Sequence, residues 1–138
     1  MTENYVLDAC ALIAYLFEEE GAQSVSDMLA KASAYECDVY MHAINLLEVY
    51  YGIRREYGDV AAKEMLAKVK NLQIHINYDM PENIFLEAGR LKSEYKLSLA
   101  DSIGLAQAVL LNASFVSSDH HELDIVDVSE NINIHWFR

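Results

Sequence analysis

Short apolar segments alternate with helical patterns along this 138-residue chain, and that alternation constrains the fold more than any other feature. Strands separated by helices, and lacking a polar face, favour a parallel sheet covered on both sides. We therefore predict an α/β fold, a three-layer α/β/α sandwich around a central, mainly parallel sheet. The predicted strands are 4–8, 39–41, 73–76, 114–117 and 132–136, and the predicted helices are 9–17, 22–35, 43–57, 59–69, 81–95 and 98–111.

Composition limits the class of protein. A hydrophobic fraction of 53% can supply a core, and no linker or repeat divides the chain, so residues 1–138 are expected to form a single domain. No apolar stretch reaches the about 20 residues that span a bilayer, and no secretory signal is visible. Cys10 and Cys37 form neither a disulfide framework nor a zinc site. We expect a cytoplasmic protein with no membrane association.

Four acidic residues lie in segments that otherwise supply core residues: Asp8, Glu48, Asp101 and Asp119. Carboxylates are rarely buried unless they are paired or bind a metal. Parallel sheets bind ligands beyond the carboxyl ends of their strands, where Asp8 and Asp119 fall. Glu48 and Asp101 lie on predicted helices, so their convergence with the other two is an inference.

Three of these acids also have local explanations. Asp8 could simply cap the helix that follows it. Asp101 could complete a capping box with Ser98, three residues earlier. Asp119 could belong to a solvated loop.

Glu48 is harder to explain locally. On a helical wheel it shares a stripe with Ile44, Leu47 and Tyr51, so an ordinary surface glutamate is not expected there. The alternative is a buried acid satisfied by a basic or tyrosyl partner.

Clustered carboxylates need a cation or protons. Two like charges about 4 Å apart repel by roughly 4 kcal/mol at an effective dielectric constant of 20. Oxygen-only ligands favour Mg²⁺ or Mn²⁺. His120 and His121 suggest a transition metal, but adjacent side chains rarely point together and no third His or Cys is suitably spaced, so zinc is disfavoured.

Four segments together resemble a PIN domain, and within that family the small single-domain VapC-type toxins. The resemblance rests on their order and separation in a chain of this length. The segments are Val-Leu-Asp-Ala-Cys-Ala-Leu at 6–12, Asn-Leu-Leu-Glu-Val-Tyr-Tyr-Gly at 45–52, Leu-Ala-Asp-Ser-Ile at 99–103 and Ser-Ser-Asp-His-His-Glu-Leu at 117–123.

The resemblance implies Mg²⁺- or Mn²⁺-dependent cleavage of RNA, a cognate antitoxin and a homodimer. It places the family's four acids at Asp8, Glu48, Asp101 and Asp119. We hypothesise that Asp8 and Asp101 ligate the ion, and that the other two complete the cluster directly or through water. Attack by an activated water leaves a 5′-phosphate and a 3′-hydroxyl.

The first acidic segment departs from the family pattern. Many members have Ser or Thr within two residues of the first aspartate, whereas this chain has Ala9 and Cys10. A polar contact to Asp8 is therefore either missing or supplied by Ser117 or Ser118.

The net charge of −12 argues against tight, non-specific binding of nucleic acid, so RNA contacts are expected to be local or cation-bridged. The candidate phosphate contacts, which could equally be solvated charges, are Arg54, Arg55, Arg90, Lys92 and Lys96. Tyr50, Tyr51 and Tyr57 are candidates for a protein interface.

Two other functions remain open. An acidic phospho-receiver domain also binds Mg²⁺ on a doubly wound sheet, but it has an acidic pair after the first strand and a late lysine, which this chain lacks. A phosphatase with an Asp-x-Asp nucleophile is disfavoured because position 10 is cysteine. A non-catalytic binding module with the PIN fold is the second alternative.

Overall fold

The computed structural model describes residues 3–138, and in that range five strands form one sheet. The strand order is β3-β2-β1-β4-β5, and every neighbouring pair is parallel. This confirms the predicted α/β class and its central sheet. The strands are β1 (Asn4–Leu7), β2 (Asp38–His42), β3 (His75–Asn77), β4 (Ser114–Ser117) and β5 (Ile134–Trp136).

Seven helices in the described range cover the two faces of the sheet. They are α1 (Ala9–Leu16), α2 (Ala22–Ser33), α3 (Ala43–Tyr57), α4 (Asp59–Lys70), α5 (Glu82–Glu94), α6 (Leu99–Leu111) and α7 (His120–Ser129). Helices α1 to α4 enclose one core with the sheet, and α5 to α7 enclose the others. None of these helices is long and apolar enough to cross a membrane.

Alternating side chains along the strands pack into the two cores on opposite faces of the sheet. Leu7, Met41 and Val116 pack among α1 to α4, whereas Val6 and Phe115 pack among α5 to α7. All of these side chains are fully buried. Strands that are apolar on both faces explain the continuous apolar runs of the sequence.

Helix α6 lies very close to β4 because Gly104 faces the ring of Phe115. A Cβ on Gly104 would come within 2.7 Å of that ring. At the same level, the buried Asn45 amide of α3 donates to the Ala100 carbonyl, at 3.3 Å. These contacts fix the start of α6, and with it Asp101, against α3 and the sheet.

Two helix starts differ from the simplest interpretation of the sequence. Residues 120–129 form a helix where a solvated loop was considered, and Asp119 is its N-cap. Asp59, at the start of the predicted helix 59–69, is the aspartate that the sequence suggests as its cap, but the N-cap of α4 is Gly58 at φ 96°, a region that favours glycine. Asp59 instead pairs with Arg54 and Lys63, at 3.2 and 3.0 Å.

Candidate active site

Three carboxylates meet at the carboxyl end of the sheet. Asp101, Asp119 and Glu122 each offer one oxygen, and these atoms lie within 4.8 Å of one another. Asp101 and Glu122 are the third residues of α6 and α7, and Asp119 is the N-cap of α7. Two helix N-termini therefore point their partial positive charge toward the same carboxylates.

The starts of α6 and α7 each have their own cap and are joined by one further hydrogen bond. Ser98 and Asp119 each accept the backbone N–H of the third helical residue, at 3.1 and 3.3 Å. In an ordinary capping box that third residue would return a side-chain bond to the cap. Here the backbone N–H of Ser98 donates instead to Glu122 of the other helix, at 2.7 Å. The carboxylate of Asp101 is therefore not used in its own cap and remains directed to the cluster.

Asp8 lies beside these acids because β1 and β4 are neighbours. Its backbone N–H donates to the Val116 carbonyl at 3.2 Å. One carboxylate oxygen caps α1 by accepting the N–H of Ala11, at 2.8 Å. The side chain is only 2% exposed, and this burial raises its pKa to about 6, with a further contribution from the charge of Asp119. The capping role and the position near the other acids thus exist together.

The polar contact that the sequence left in doubt is present. The Cys10 thiol lies 3.1 and 3.0 Å from the two Asp8 oxygens, and Ser117 also hydrogen-bonds to that carboxylate. The hydroxyl of Ser118 donates to the Cys10 sulfur at 3.5 Å. A thiol therefore occupies the place of the expected hydroxyl, and Ser117 adds the second contact.

Glu48 is half-buried at the edge of the cluster. Burial, followed by the charge of Glu122, raises its pKa, and the Glu48 charge in turn raises the pKa of Asp101. Its carboxylate has no ion pair or hydrogen bond among residues 3–138, so the alternative of a buried acid satisfied by a basic or tyrosyl partner is not supported there. We call Asp8, Glu48, Asp101, Asp119 and Glu122 the strand-end cluster.

The stripe that suggested a buried position for Glu48 was wrong. Leu47 and Tyr51 are 50% and 43% exposed. The buried face of α3 carries Asn45, Leu46, Val49 and Ile53 instead. Glu48 lies beside this face and points to the end of the sheet rather than into the core.

The strand-end cluster has the electrostatics of a cation site. Burial and the charges of Asp8, Asp119 and Glu48 raise the pKa of Asp101, and burial with hydrogen bonds to Asp101 and Asp119 raises that of Glu122. Two carboxylates can share a hydrogen bond only if one of them keeps a proton. A divalent cation would replace that proton, and an all-oxygen donor set fits Mg²⁺ or Mn²⁺.

Most of the candidate phosphate contacts are occupied. Arg90 pairs with three glutamates, Arg54 pairs with Asp59, and the Arg55 guanidinium lies over the Tyr51 ring at 5.4 Å. The Lys92 ammonium donates to the Leu97 carbonyl at 2.8 Å. Lys96, by contrast, borders a cleft lined by Asp119 and Glu122 and has no ion pair in the described range.

The family follows from comparison with known proteins. The model of the PIN domain matches residues 5–128. This chain belongs to the PIN domain family. PIN-domain VapC toxins are generally nucleases. No curated protein sequence matches the chain.

Solved structures share the fold at low identity. VapBC2 from Rickettsia felis was solved with a DNA fragment from its own promoter. It has a TM-score of 0.73 at 16% identity, over 96% of this chain and 98% of that one. DNA-bound VapBC from Salmonella typhimurium has a TM-score of 0.68 at 17% identity and full coverage of both chains, 100% each. VapC20 from Mycobacterium tuberculosis, a toxin that cleaves the sarcin-ricin loop, has a TM-score of 0.64 at 12% identity, over 91% and 95%.

Sequence reasoning missed Glu122. The spacing Asp119-x-x-Glu122 is the signature of a helix start, which would have placed the glutamate within one turn of Asp119. That signal identifies α7. It does not reveal the contact between Glu122 and Ser98, since those residues are 24 positions apart.

Proposed function

We propose that this protein is a divalent-metal-dependent endoribonuclease, the toxin of a toxin–antitoxin pair, acting in the cytoplasm. The observation that carries the proposal is the meeting of three carboxylates, from α6 and the start of α7, at the carboxyl end of a PIN-family sheet, with Asp8 and Glu48 near enough for their charges to raise the pKa of Asp101. Burial raises the pKa of Asp8, Glu48, Asp101 and Glu122, and neighbouring carboxylates raise these values further, as expected where no cation is bound.

Asp101, Asp119 and Glu122 are the residues that would hold the ion, since their oxygens already lie close together. Asp8 and Glu48 would complete the site directly or through water. A divalent ion bound there supplies charge stabilisation to a phosphodiester and lowers the pKa of an attacking water.

The chain's own contribution is orientation. The Cys10 thiol, Ser117 and the N–H of Ala11 hold the Asp8 carboxylate in one position. The N–H of Ser98 similarly fixes Glu122. Fixed ligands lose little freedom on binding a cation, which is why such supporting contacts raise affinity.

The experiment that tests this function incubates end-labelled single-stranded RNA with the purified protein in Mg²⁺, Mn²⁺ or EDTA. We expect cleavage with either metal, none in EDTA, and products with a 5′-phosphate and a 3′-hydroxyl. Cleavage that survives EDTA and Asp8→Asn, or products with a 2′,3′-cyclic phosphate, would contradict the proposal. A metal-binding protein that cleaves no RNA would indicate the alternative, a non-catalytic module.

We further propose a cognate antitoxin and a homodimer as partners. The solved VapBC structures pair a toxin with an antitoxin and motivate the first. A surface for such a partner lies between α1, α3 and α4, where the rings of Phe17 and Tyr57 stack at 6.0 Å and are 45% and 58% exposed. Light scattering of the purified chain tests the dimer, and Tyr57→Asp should weaken capture of a co-expressed antitoxin.

A further inference from the structure

A cleft of about 740 Å³ opens beside the strand-end cluster. Asp119 and Glu122 form part of its lining, so the cleft is continuous with the candidate metal site. Its other lining residues come from the end of α5, the turn after it and the exposed side of α7. Volumes of about 300–1,000 Å³ are typical of ligand sites. A substrate whose phosphate lies at the cluster would therefore extend into this cleft.

Lys96 is the one lysine or arginine among the described residues that line this cleft. The two other cations nearby are engaged elsewhere, since Arg90 contacts Glu94 at 2.7 Å and Lys92 is bound to a backbone carbonyl. Lys96 forms no ion pair within residues 3–138. Lys96 is exposed beside Asp119 and Glu122 without pairing to either, so its charge is available to an anionic ligand.

The backbone that carries Lys96 is held on both sides. Tyr95 and Leu97 donate backbone bonds to Leu91 and Tyr95, each at 3.0 Å. The Tyr95 hydroxyl also donates to Glu130 at 2.5 Å. The next residue after Leu97, Ser98, is bound by Glu122. The turn is therefore fixed relative to the acids, while the lysine side chain remains free to bind.

We infer that Lys96 binds a backbone phosphate of single-stranded RNA next to the phosphate that is cut. This inference rests on the proposed function and names the path of its substrate. His121 lines the same cleft and supplies a second donor, and Ile125, 53% exposed, offers an apolar surface to a base. A phosphate repeats along the strand, so a cation elsewhere in the lining of the same cleft binds the substrate without touching the reacting atoms.

The test compares Lys96→Gln with Lys70→Gln, an exposed lysine at the end of α4, in the helical layer on the other side of the sheet. We expect Lys96→Gln to raise the KM for RNA about three- to tenfold at low salt with kcat unchanged, and Lys96→Arg to restore it. His121→Ala should have a smaller effect in the same direction. Lys70→Gln should change neither constant.

Binding provides a readout that is independent of cleavage. Fluorescence anisotropy with a labelled single-stranded RNA, in the Asp101→Asn background with Mg²⁺, gives the salt dependence of the Kd. Loss of one phosphate contact should reduce the slope of log K against log salt by about 0.7. Lys70→Gln should leave that slope unchanged.

The outcomes separate this inference from the function on which it rests. EDTA-sensitive cleavage with equal KM and equal salt slope for the two lysine variants would overturn the RNA path and leave the nuclease proposal standing. Absence of EDTA-sensitive cleavage in the unmodified protein would overturn both. A raised KM with a reduced slope only for Lys96→Gln would support the path.

Discussion

Two groups of acidic side chains in this molecule differ in whether they contain a cation of their own. In the first, Arg90 lies between Glu87, Glu94 and Glu130, at 2.7 Å from each. Its guanidinium holds the pKa of Glu130 below the ordinary value. We call this group the Arg90 cluster.

The strand-end cluster has no such cation among the described residues. Burial raises the pKa of Asp8, Asp101 and Glu122 there, and neighbouring carboxylates raise those values further. The same residue types thus show opposite shifts. One group is therefore neutralised as folded, whereas the other has the unneutralised charge that the proposed cation site requires.

The largest expected effect is on catalysis. Asp101→Asn removes one charge from the strand-end cluster and should reduce RNA cleavage by roughly 10³-fold. The matched control is Glu87→Gln, which removes a charge from the Arg90 cluster away from the proposed RNA cleft and should leave cleavage within about twofold. Initial rates on one labelled RNA measure both. Equal losses in the two variants would mean that the effect comes from net charge and not from the site.

The next effect is on the free energy of unfolding, and it arises because the Asp8 carboxylate is buried with no cation of the described residues beside it. The folded pKa of Asp8 is about 6 in place of 3.8, so the folded state holds the proton more tightly than the unfolded chain. The free energy of unfolding should therefore fall by about 3 kcal/mol as pH rises from about 4 to above 6 in EDTA. Urea titrations across this range measure it.

Saturating Mg²⁺ should offset this loss, because the ion binds only the folded, deprotonated site. A stability that rises with pH between 4 and 7 in EDTA would contradict the account. Asp8→Asn, which cannot titrate, should make the profile shallower by the Asp8 contribution and leave the part that comes from Asp101 and Glu122.

Glu122 has two roles: it accepts the Ser98 N–H at the start of α6, and it belongs to the strand-end cluster. Two substitutions at this residue can separate these roles. Glu122→Gln keeps an oxygen for the Ser98 N–H but removes the charge, so affinity for Mn²⁺ should fall about 10- to 100-fold with little change in stability. Glu122→Ala should lose the affinity and also about 1 kcal/mol of stability, since the cap is lost. Calorimetry and thermal melts measure the two quantities. Unchanged Mn²⁺ affinity in both variants would remove Glu122 from the site.

The smallest expected effect concerns the Arg90 cluster. Arg90→Met removes the cation from the Arg90 cluster and leaves three glutamates together. Because this group is partly exposed, we expect a loss of only about 1 kcal/mol at neutral pH, shrinking at acid pH as Glu130, whose pKa Arg90 lowers, becomes protonated. Metal-dependent cleavage should not change. A loss of cleavage would show that the Arg90 cluster supports the site.

The family, the sheet and the segments that carry four of the acids were predictable from local patterns. Asp8 and Asp119 follow strands, and parallel strands end at one edge, so their proximity follows from the fold class. The position of Asp101 depended on a long-range contact. Ser98 and Asp101 have the spacing of a capping box, and only the arrival of Glu122 from α7 shows why the aspartate remains free.

Two other details could not be predicted from local sequence patterns, because tertiary packing decides them. The wheel of α3 gives two apolar stripes, through Leu47 and Tyr51 or through Val49 and Ile53, and the packing of α1 and α4 decides which is buried. The replacement of a hydroxyl by the Cys10 thiol was visible in sequence. Its contact with both oxygens of Asp8 depends on the start of α1 and could be seen only in three dimensions.

The most direct measurement is calorimetric titration of Mn²⁺ into the metal-free protein near pH 6, repeated in buffers with different ionisation enthalpies. The account predicts saturable binding that releases protons, because the ion replaces those held by the strand-end cluster. Asp101→Asn should weaken that binding and reduce the proton release. The absence of saturable binding, or binding that releases no protons and is unaffected by Asp101→Asn, would contradict the claim that these carboxylates form a cation site.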